Sequence, residues 1–302
     1  MTETYNINLV SLIERFQNED KCRELLEDLR WPEGVECPRC DNMSVSEIRE
    51  RNQWECNDES CRYQFSVTAG TIFHRSHLPL WKWFLAIYLM CESKKGISAN
   101  QLKRTLGISY KTAWYLCHRI REAMGNDPII GPTLFGIVEV DETLVGGKRR
   151  GVGTGNRIGK TWVAGAVQRG GQVRLEKIPN IRKKTLHAFI AKHVRDETEA
   201  IYTDELRSYI GVEDHNTRHE TVTHHEDEWV FGDVHTNSVE GMWSLLKRSI
   251  VGSFHKISVK HLDAYLDELE WRFNNRDNPH IFRDTLQRMI ASDNLPYAEL
   301  TA

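Results

Sequence analysis

The chain has 302 residues, of which 40% are hydrophobic and 27% charged, with a net charge of −3. That is enough for two or three ordinary globular domains with sizeable cores. The charge balance excludes a uniformly basic nucleic-acid coat. No window reaches eighteen apolar residues, and the apolar stretch LPLWKWFLAIYLM is interrupted by Lys82, so no membrane span or membrane partner is expected. MTETYNINLV lacks the basic-then-apolar build of a secretion signal, which predicts a cytoplasmic protein with reduced cysteines.

Residues 1–30 read as a helical segment. Residues 31–70 carry CPRC, fifteen intervening residues, then CNDESC. Two close cysteine pairs at this separation suit tetrahedral thiolate coordination, so Cys37, Cys40, Cys56 and Cys61 are expected to hold one structural Zn²⁺. Four residues in the second pair, against two in the first, loosen the match. WEC and YQFSV read as ribbon strands, with Trp54 and Phe65 as a small core. Four plain core cysteines would fit poorly in a segment so short of other apolar residues. Cys22, Cys91 and Cys117 lie in helical patterns and read as core residues.

Residues 71–127 are predicted helical, with a helix-turn-helix over 96–124. Ser98 caps a first helix carrying Leu102 and Leu106; Gly107, Ile108 and Ser109 form the turn. A second helix carries Ala113, Leu116, Cys117 and Ile120. Between Glu92 and Met124 there are seven Lys or Arg and two Glu, a local +5. Such a stripe favours phosphates. Ser109, Tyr110, Lys111 and Thr112 at the start of the second helix, and Arg119 further along it, are the candidate DNA contacts. The alternative is an ordinary helical hairpin.

Residues 128–255 alternate strand and helix patterns. FGIVEVDETLVGG is a strand with Phe135, Ile137, Glu139 and Asp141 on one face and Val138 and Val140 on the other. TWVAGAVQRGGQVRLEKIP is a hairpin turning at Gly170-Gly171. KKTLHAFIAKHV is a helix with Leu186, Phe189 and Ile190 inward. EAIYTDELRSY begins as a strand ending at Asp204, HETVTHH suggests one more, and a helix follows from Asn237 to about Ile250. This order is how a ribonuclease-H-like domain is built. The expected fold is therefore α+β and multidomain: zinc ribbon, helix-turn-helix, and a ribonuclease-H-like α/β catalytic domain with a mixed sheet. Residues 256–302 are predicted as C-terminal helices packing on that domain. Leu262, Tyr265, Leu266, Leu269 and Phe273 mark the first of them, with Arg272, Asn274, Asn275 and Arg276 as candidates for touching DNA.

In such a domain Asp141 and Asp204 end side by side on adjacent strands, and an acid from the following helix completes a cluster. Close carboxylates repel unless cations neutralise them, and two Mg²⁺ (or Mn²⁺) ions suit phosphodiester chemistry. Glu142 and Glu205 are expected on the opposite face. Glu139 reads either as a supporting acid one step inside the sheet or as a strand-edge charge.

Asp141, Asp204 and Glu240, with Lys247 seven residues after the last acid and 35 residues between Asp204 and Glu240, resemble the DDE transposases and integrases. More narrowly, CPRC with its second cysteine pair, FSVTAGTIFHRSHLPLWKWFLAIY, VEVDETLVGGKRR, IYTDELRSY, HTNSVEGMWSLLKRSIVGSFHKIS and KHLDAYLDELEWRFNNR resemble bacterial ISXO-like insertion-sequence transposases, relatives of Merlin elements. The likeness runs from about Trp31 to Arg276. It implies metal-dependent cleavage at transposon terminal repeats and attack of the freed 3′-hydroxyl on target DNA. It also implies a dimer or larger assembly that holds two ends, working in the cytoplasm at the nucleoid. Members of this group carry Glu, Asn or His at the third acid position, so Asn237 and His235 stay beside Glu240 as candidates.

Within HTNSVEGMWSLLKR, Asn237, Glu240, Ser244 and Lys247 share one helix side, while Met242, Leu245 and Leu246 lie off it. A solvated ion pair would use a spacing of three or four, not seven. Lys247 and Arg248 are expected to meet DNA, as are Lys148, Arg149 and Arg150 in the glycine-rich loop GGKRRGVGTGNRIGK. HHEDE lacks the spacing of a helical zinc hydrolase, although His224 and His235 could flank the metals. Two rival functions remain: a nuclease that cuts without transposing, and a DNA-binding regulator with an inactive nuclease fold.

Overall fold

In a computed structural model of the chain, the described residues are 7–126, 133–146, 159–213, 217–222 and 235–302. They fall into two compact units, Met1–Asn126 with Asp277–Ala302, and Asp127–Arg276. Among the described residues no helix is long and apolar enough to cross a membrane.

The first unit begins with α1 (Leu9–Phe16), started by a reciprocal capping box between Asn8 and Ser11, and α2 (Glu19–Arg30), capped by Asn18. A three-stranded antiparallel ribbon follows: β1 (Val45–Ile48), β2 (Gln53–Cys56) and β3 (Gln64–Phe65). Trp54 and Phe65 are cross-strand partners, as their alternation predicts, and Phe65 is buried. Next come α3 (Leu80–Glu92), α4 (Ala99–Leu106) and α5 (Tyr110–Gly125). Helix α3 buries residues on several sides, among them Trp83, Phe84, Ile87 and Met90, and packs against α1, α2, α5 and the later helix α9 (Ile281–Ala291). Phe84 meets Phe16 and Phe282 edge-on at 5.1 and 5.7 Å between centroids. Ser98 and Ser109 cap α4 and α5, and Gly107 stops α4 in the left-handed conformation (φ 62°) that favours glycine.

The second unit is a five-stranded mixed sheet of β4 (Ile137–Val145), β5 (Thr161–Gln168), β6 (Val173–Ile178), β7 (Ala200–Thr203) and β8 (Arg218–Thr221), in the order β6-β5-β4-β7-β8. Strand β4 is central, antiparallel to β5 and parallel to β7. On one face Val138, Val140, Ala164 and Ala166 pack with Leu186, Phe189 and Ile190 of α6 (Lys183–His193). On the other, Val163, Val167 and Val173 pack with α7 (Asn237–Ser249) and α8 (Leu262–Asn274). The period-two pattern of β4 and β5 therefore does what it predicts: each strand feeds two separate cores.

Two expectations about the C-terminus are corrected. The segment 256–302 is not one layer on the sheet: α8 packs on β6, whereas α9 belongs to the first unit, packed on α2, α3 and α5. An apolar stripe such as Ile281, Phe282, Leu286 and Met289 says that a helix is buried, not against what. The polar end of α8 is also committed internally. Arg272 is buried beside Glu268 and Asn274 exchanges two hydrogen bonds with the backbone of Val173, whereas Arg276 stays exposed while donating to the carbonyl of Gly171.

Candidate metal centre

Strand β4 carries Asp141 at its middle, level with Asp204, which directly follows β7. Glu139 pairs with Tyr202 two residues before each. The carboxylates of Asp141, Glu142 and Asp204 can place one oxygen each within 4.8 Å of one another. Asp204 is oriented by its own turn, Oδ1 accepting from the Leu206 amide at 3.0 Å. Asp141 and Glu142 line a cleft of about 700 Å³ together with Glu240, Trp243, Ser244, Lys247 and Arg248 of α7. Asn237, Glu240, Ser244 and Lys247 are all exposed, as the helix pattern predicts, but Asn237 does not line this cleft. Among the described residues Glu240 is thus the α7 acid that faces Asp141, standing outside the tight group of three.

Burial pushes the Asp141 carboxyl up to about 6; the charges of Asp204 and Glu240 push the same way, and the Trp243 donor opposes them. Burial pushes Glu142 higher, to about 7, with Asp141 and Asp204 adding to it. Its carboxylate accepts from the Tyr209 hydroxyl at 2.6 Å, and burial beside these acids keeps Tyr209 protonated. These acids are crowded and partly desolvated, a state that a cation relieves.

Two residues here, Glu142 and Trp243, escaped the sequence reading as site members. Glu142 does point to the α6 side of the sheet, where it finds Tyr209, but beside the end of β7 its carboxylate still reaches Asp141 and Asp204. Trp243 donates its indole Nε1 to Asp141 Oδ2 at 2.8 Å. The only sequence signal for it is a Trp one residue off the apolar stripe of α7. Glu139 is fully buried, paired with Arg169 at 2.7 Å, and not a strand-edge charge. His235 stands beside Glu139 at 3.3 Å and is not part of the acid group. Lys148, Arg149, Arg150 and His224 lie outside the described residues.

Residues 133–274 match the ISXO2-like transposase domain and residues 17–64 match the transposase zinc-ribbon domain. A protein in transposable element ISH50 of Halobacterium salinarum is 31% identical over 283 residues, covering 86% of this chain and 92% of that one. The chain belongs to the ISXO2-like transposase family. A transposase-like protein of Haemophilus influenzae is also 31% identical, over 102 residues, or 33% of this chain and 79% of that one. Among solved structures, the Mos1 strand transfer complex aligns over 71% of this chain and 78% of that one, with 13% identity and a TM-score of 0.28. A likeness that low adds nothing to the family assignment.

In this ISXO2-like transposase the matched domain contains Asp141, Glu142, Asp204, Glu240 and Lys247. The ribbon match contains all four paired cysteines, whose sulfur atoms lie within 4.8 Å of one another. Cys37–Cys61 and Cys40–Cys56 are 3.8 and 3.6 Å apart. A tetrahedron with metal–sulfur bonds of ~2.3 Å has sulfur–sulfur edges of ~3.8 Å, so the group is shaped for zinc. Cys22, Cys91 and Cys117 are buried core residues, and burial pushes the Cys22 thiol up to about 12.

Ser109, Tyr110, Lys111 and Thr112 of the transposase are exposed at the start of α5. Arg119 is not available to DNA. It is 2% exposed, stacked on Trp83 and Tyr115, and donates to the His74 carbonyl and Asn294. The positive count of a helix does not tell which of its cations are consumed inside.

Proposed function

We propose that this transposase cuts phosphodiester bonds at the terminal repeats of its element and joins the freed 3′ ends to target DNA. Asp141, Asp204 and Glu240 would hold two Mg²⁺ or Mn²⁺ ions. The observation that carries this reading is the meeting of Asp141 and Glu142 of β4 with Asp204 just past β7, beside a cleft also lined by Glu240 and Lys247. The strand order β6-β5-β4-β7-β8 supports a ribonuclease-H-like domain, the architecture expected for such a site. Bound divalent ions would activate a water or 3′-hydroxyl and stabilise the leaving oxygen.

The chain's own residues supply the rest. Trp243 holds the Asp141 carboxylate in one orientation, and Tyr209 does the same for Glu142. Lys247 and Arg248, exposed on the cleft, supply positive charge for a phosphate beside the acids. In the first unit the cysteine group is read as a single Zn²⁺ site. The α4–α5 pair is read as a helix-turn-helix, with Tyr110, Lys111 and Thr112 meeting DNA. Joining two ends requires two chains or more, so a dimeric or larger DNA complex is part of the proposal.

The test is incubation with DNA carrying the element's ends, in Mg²⁺ and in EDTA. Nicking or strand transfer is expected in Mg²⁺ only, and Asp141→Asn is expected to abolish it while sparing end binding. Binding without cutting under any divalent ion would favour a DNA-binding regulator.

A further inference from the structure

Helix α7 brings Glu240 to the cleft, yet its own start is unusual. The N-cap residue, Thr236, accepts no hydrogen bond from a first-turn amide; its hydroxyl donates instead to Glu240 Oε1 at 3.4 Å. The amides of Ser238 and Val239 occupy the second and third helical positions, where a cap normally supplies an acceptor. Here the acceptor comes from 99 and 100 residues away. Glu139 Oε2 accepts from the Ser238 amide at 2.7 Å and the Val239 amide at 3.1 Å, and Oε1 accepts from the Ser238 hydroxyl at 2.9 Å.

Arg169 completes the arrangement. It donates to Glu139 Oε1 at 2.7 Å and to the His235 carbonyl at 2.9 Å, tying the carboxylate to the chain entering α7. Glu139 is fully buried, which only dense hydrogen bonding makes tolerable for a charge.

Glu139 and Asp141 are alternate residues on the same face of β4, and both grip α7. Two strand residues advance about 6.6 Å. The four to five helical residues from Ser238 and Val239 to Trp243, which donates to Asp141, rise about 7 Å. The two grips are therefore in register. Apolar packing of Val239, Met242 and Leu246 holds the helix against the sheet but is non-directional. Directional bonds to the first turn set its position along the strand.

We propose that Glu139 is a positioning residue: as a cap reaching from β4 it places α7 so that Glu240 faces Asp141. This rests on the metal-centre reading above. Glu139 itself ligates nothing.

The test uses the full chain with Mn²⁺ as probe, binding being read by titration calorimetry. Glu139→Gln is expected to weaken binding about tenfold or more, the range found for groups that orient metal ligands. In a Glu240→Gln background the same change should add nothing, because the group it positions no longer ligates. Ser238→Ala removes one of the bonds and covers the case in which Glu139→Gln fails to fold. It should weaken binding about twofold, again only while Glu240 is present. An equal loss in both backgrounds overturns the proposal. So does no loss in either variant while Asp141→Asn abolishes binding. Asp141→Asn binding Mn²⁺ as tightly as the unaltered chain overturns the metal-centre reading itself, and the proposal with it.

Discussion

The indole of Trp243 donates to Asp141 at 2.8 Å from directly above Gly165, the residue that pairs with Asp141 on the neighbouring strand. A methyl group on Gly165 would stand 2.5 Å from the Trp243 ring. Glycine on β5 is thus what lets an aromatic residue of α7 come close against the sheet and reach the first candidate ligand. Two residues from two other elements, Trp243 and Gly165, are fitted to one carboxylate.

Removing the donor isolates its part. Trp243→Phe keeps most of the ring and deletes the N–H, leaving Asp141 without that partner. A loss of about 1–3 kcal/mol of stability is expected from the lost ring atoms and hydrogen bond, with metal-dependent cutting slowed about tenfold or more. Denaturant titration and a cleavage time course measure the two. Unchanged cutting would mean that Asp141 needs no such orientation.

Gly165→Ala acts on the same contact from beneath. Overpacking of this kind costs about 1–3 kcal/mol. Combining it with Trp243→Leu, which withdraws the ring, should recover much of that cost. Strict additivity of the two changes in a double-mutant cycle would contradict the contact.

The pH dependence follows from the two elevated acids. Asp141 at about 6 and Glu142 at about 7 lie above the range of an unfolded chain. In the absence of metal the stability tied to their protonated forms is full below that range and lost as pH rises through 6 to 7. A bound cation compensates where the acids are ionised. Mg²⁺ should therefore raise the melting temperature more at pH 8 than at pH 5. An equal shift at both, or a larger one at pH 5, would show that these acids do not hold the ion.

The ribbon offers a test by composition. Metal analysis should return one zinc per chain, and Cys40→Ser or Cys56→Ser should lose it. The circular dichroism of the sheet-bearing unit should change little on chelation, because its core lies on other residues. Retention of zinc in both variants would remove these cysteines from the site.

Much of this arrangement is legible along the chain. The alternation of β4 and β5 foretells two faces, the Gly170-Gly171 turn foretells the hairpin, and Leu186, Phe189 and Ile190 are inward as their spacing requires. The three, four, three spacing of Asn237, Glu240, Ser244 and Lys247 foretells an exposed stripe, which the helix shows. The cysteine spacing likewise announces a group that closes to within 4.8 Å.

By itself, then, the sequence determined the periodic elements, the cysteine group and the acids available to a metal centre. These depend on local backbone geometry and on residue chemistry, both of which are written at short range. Only the tertiary structure decided that Glu139 serves α7, that Trp243 serves Asp141, and that Glu142 joins the acids although it faces away from Asp141. It alone buried Arg119 and sent α9 to the first unit. Those outcomes depend on which surfaces meet between segments far apart in the chain, and a periodic pattern records that a face is covered without recording what covers it.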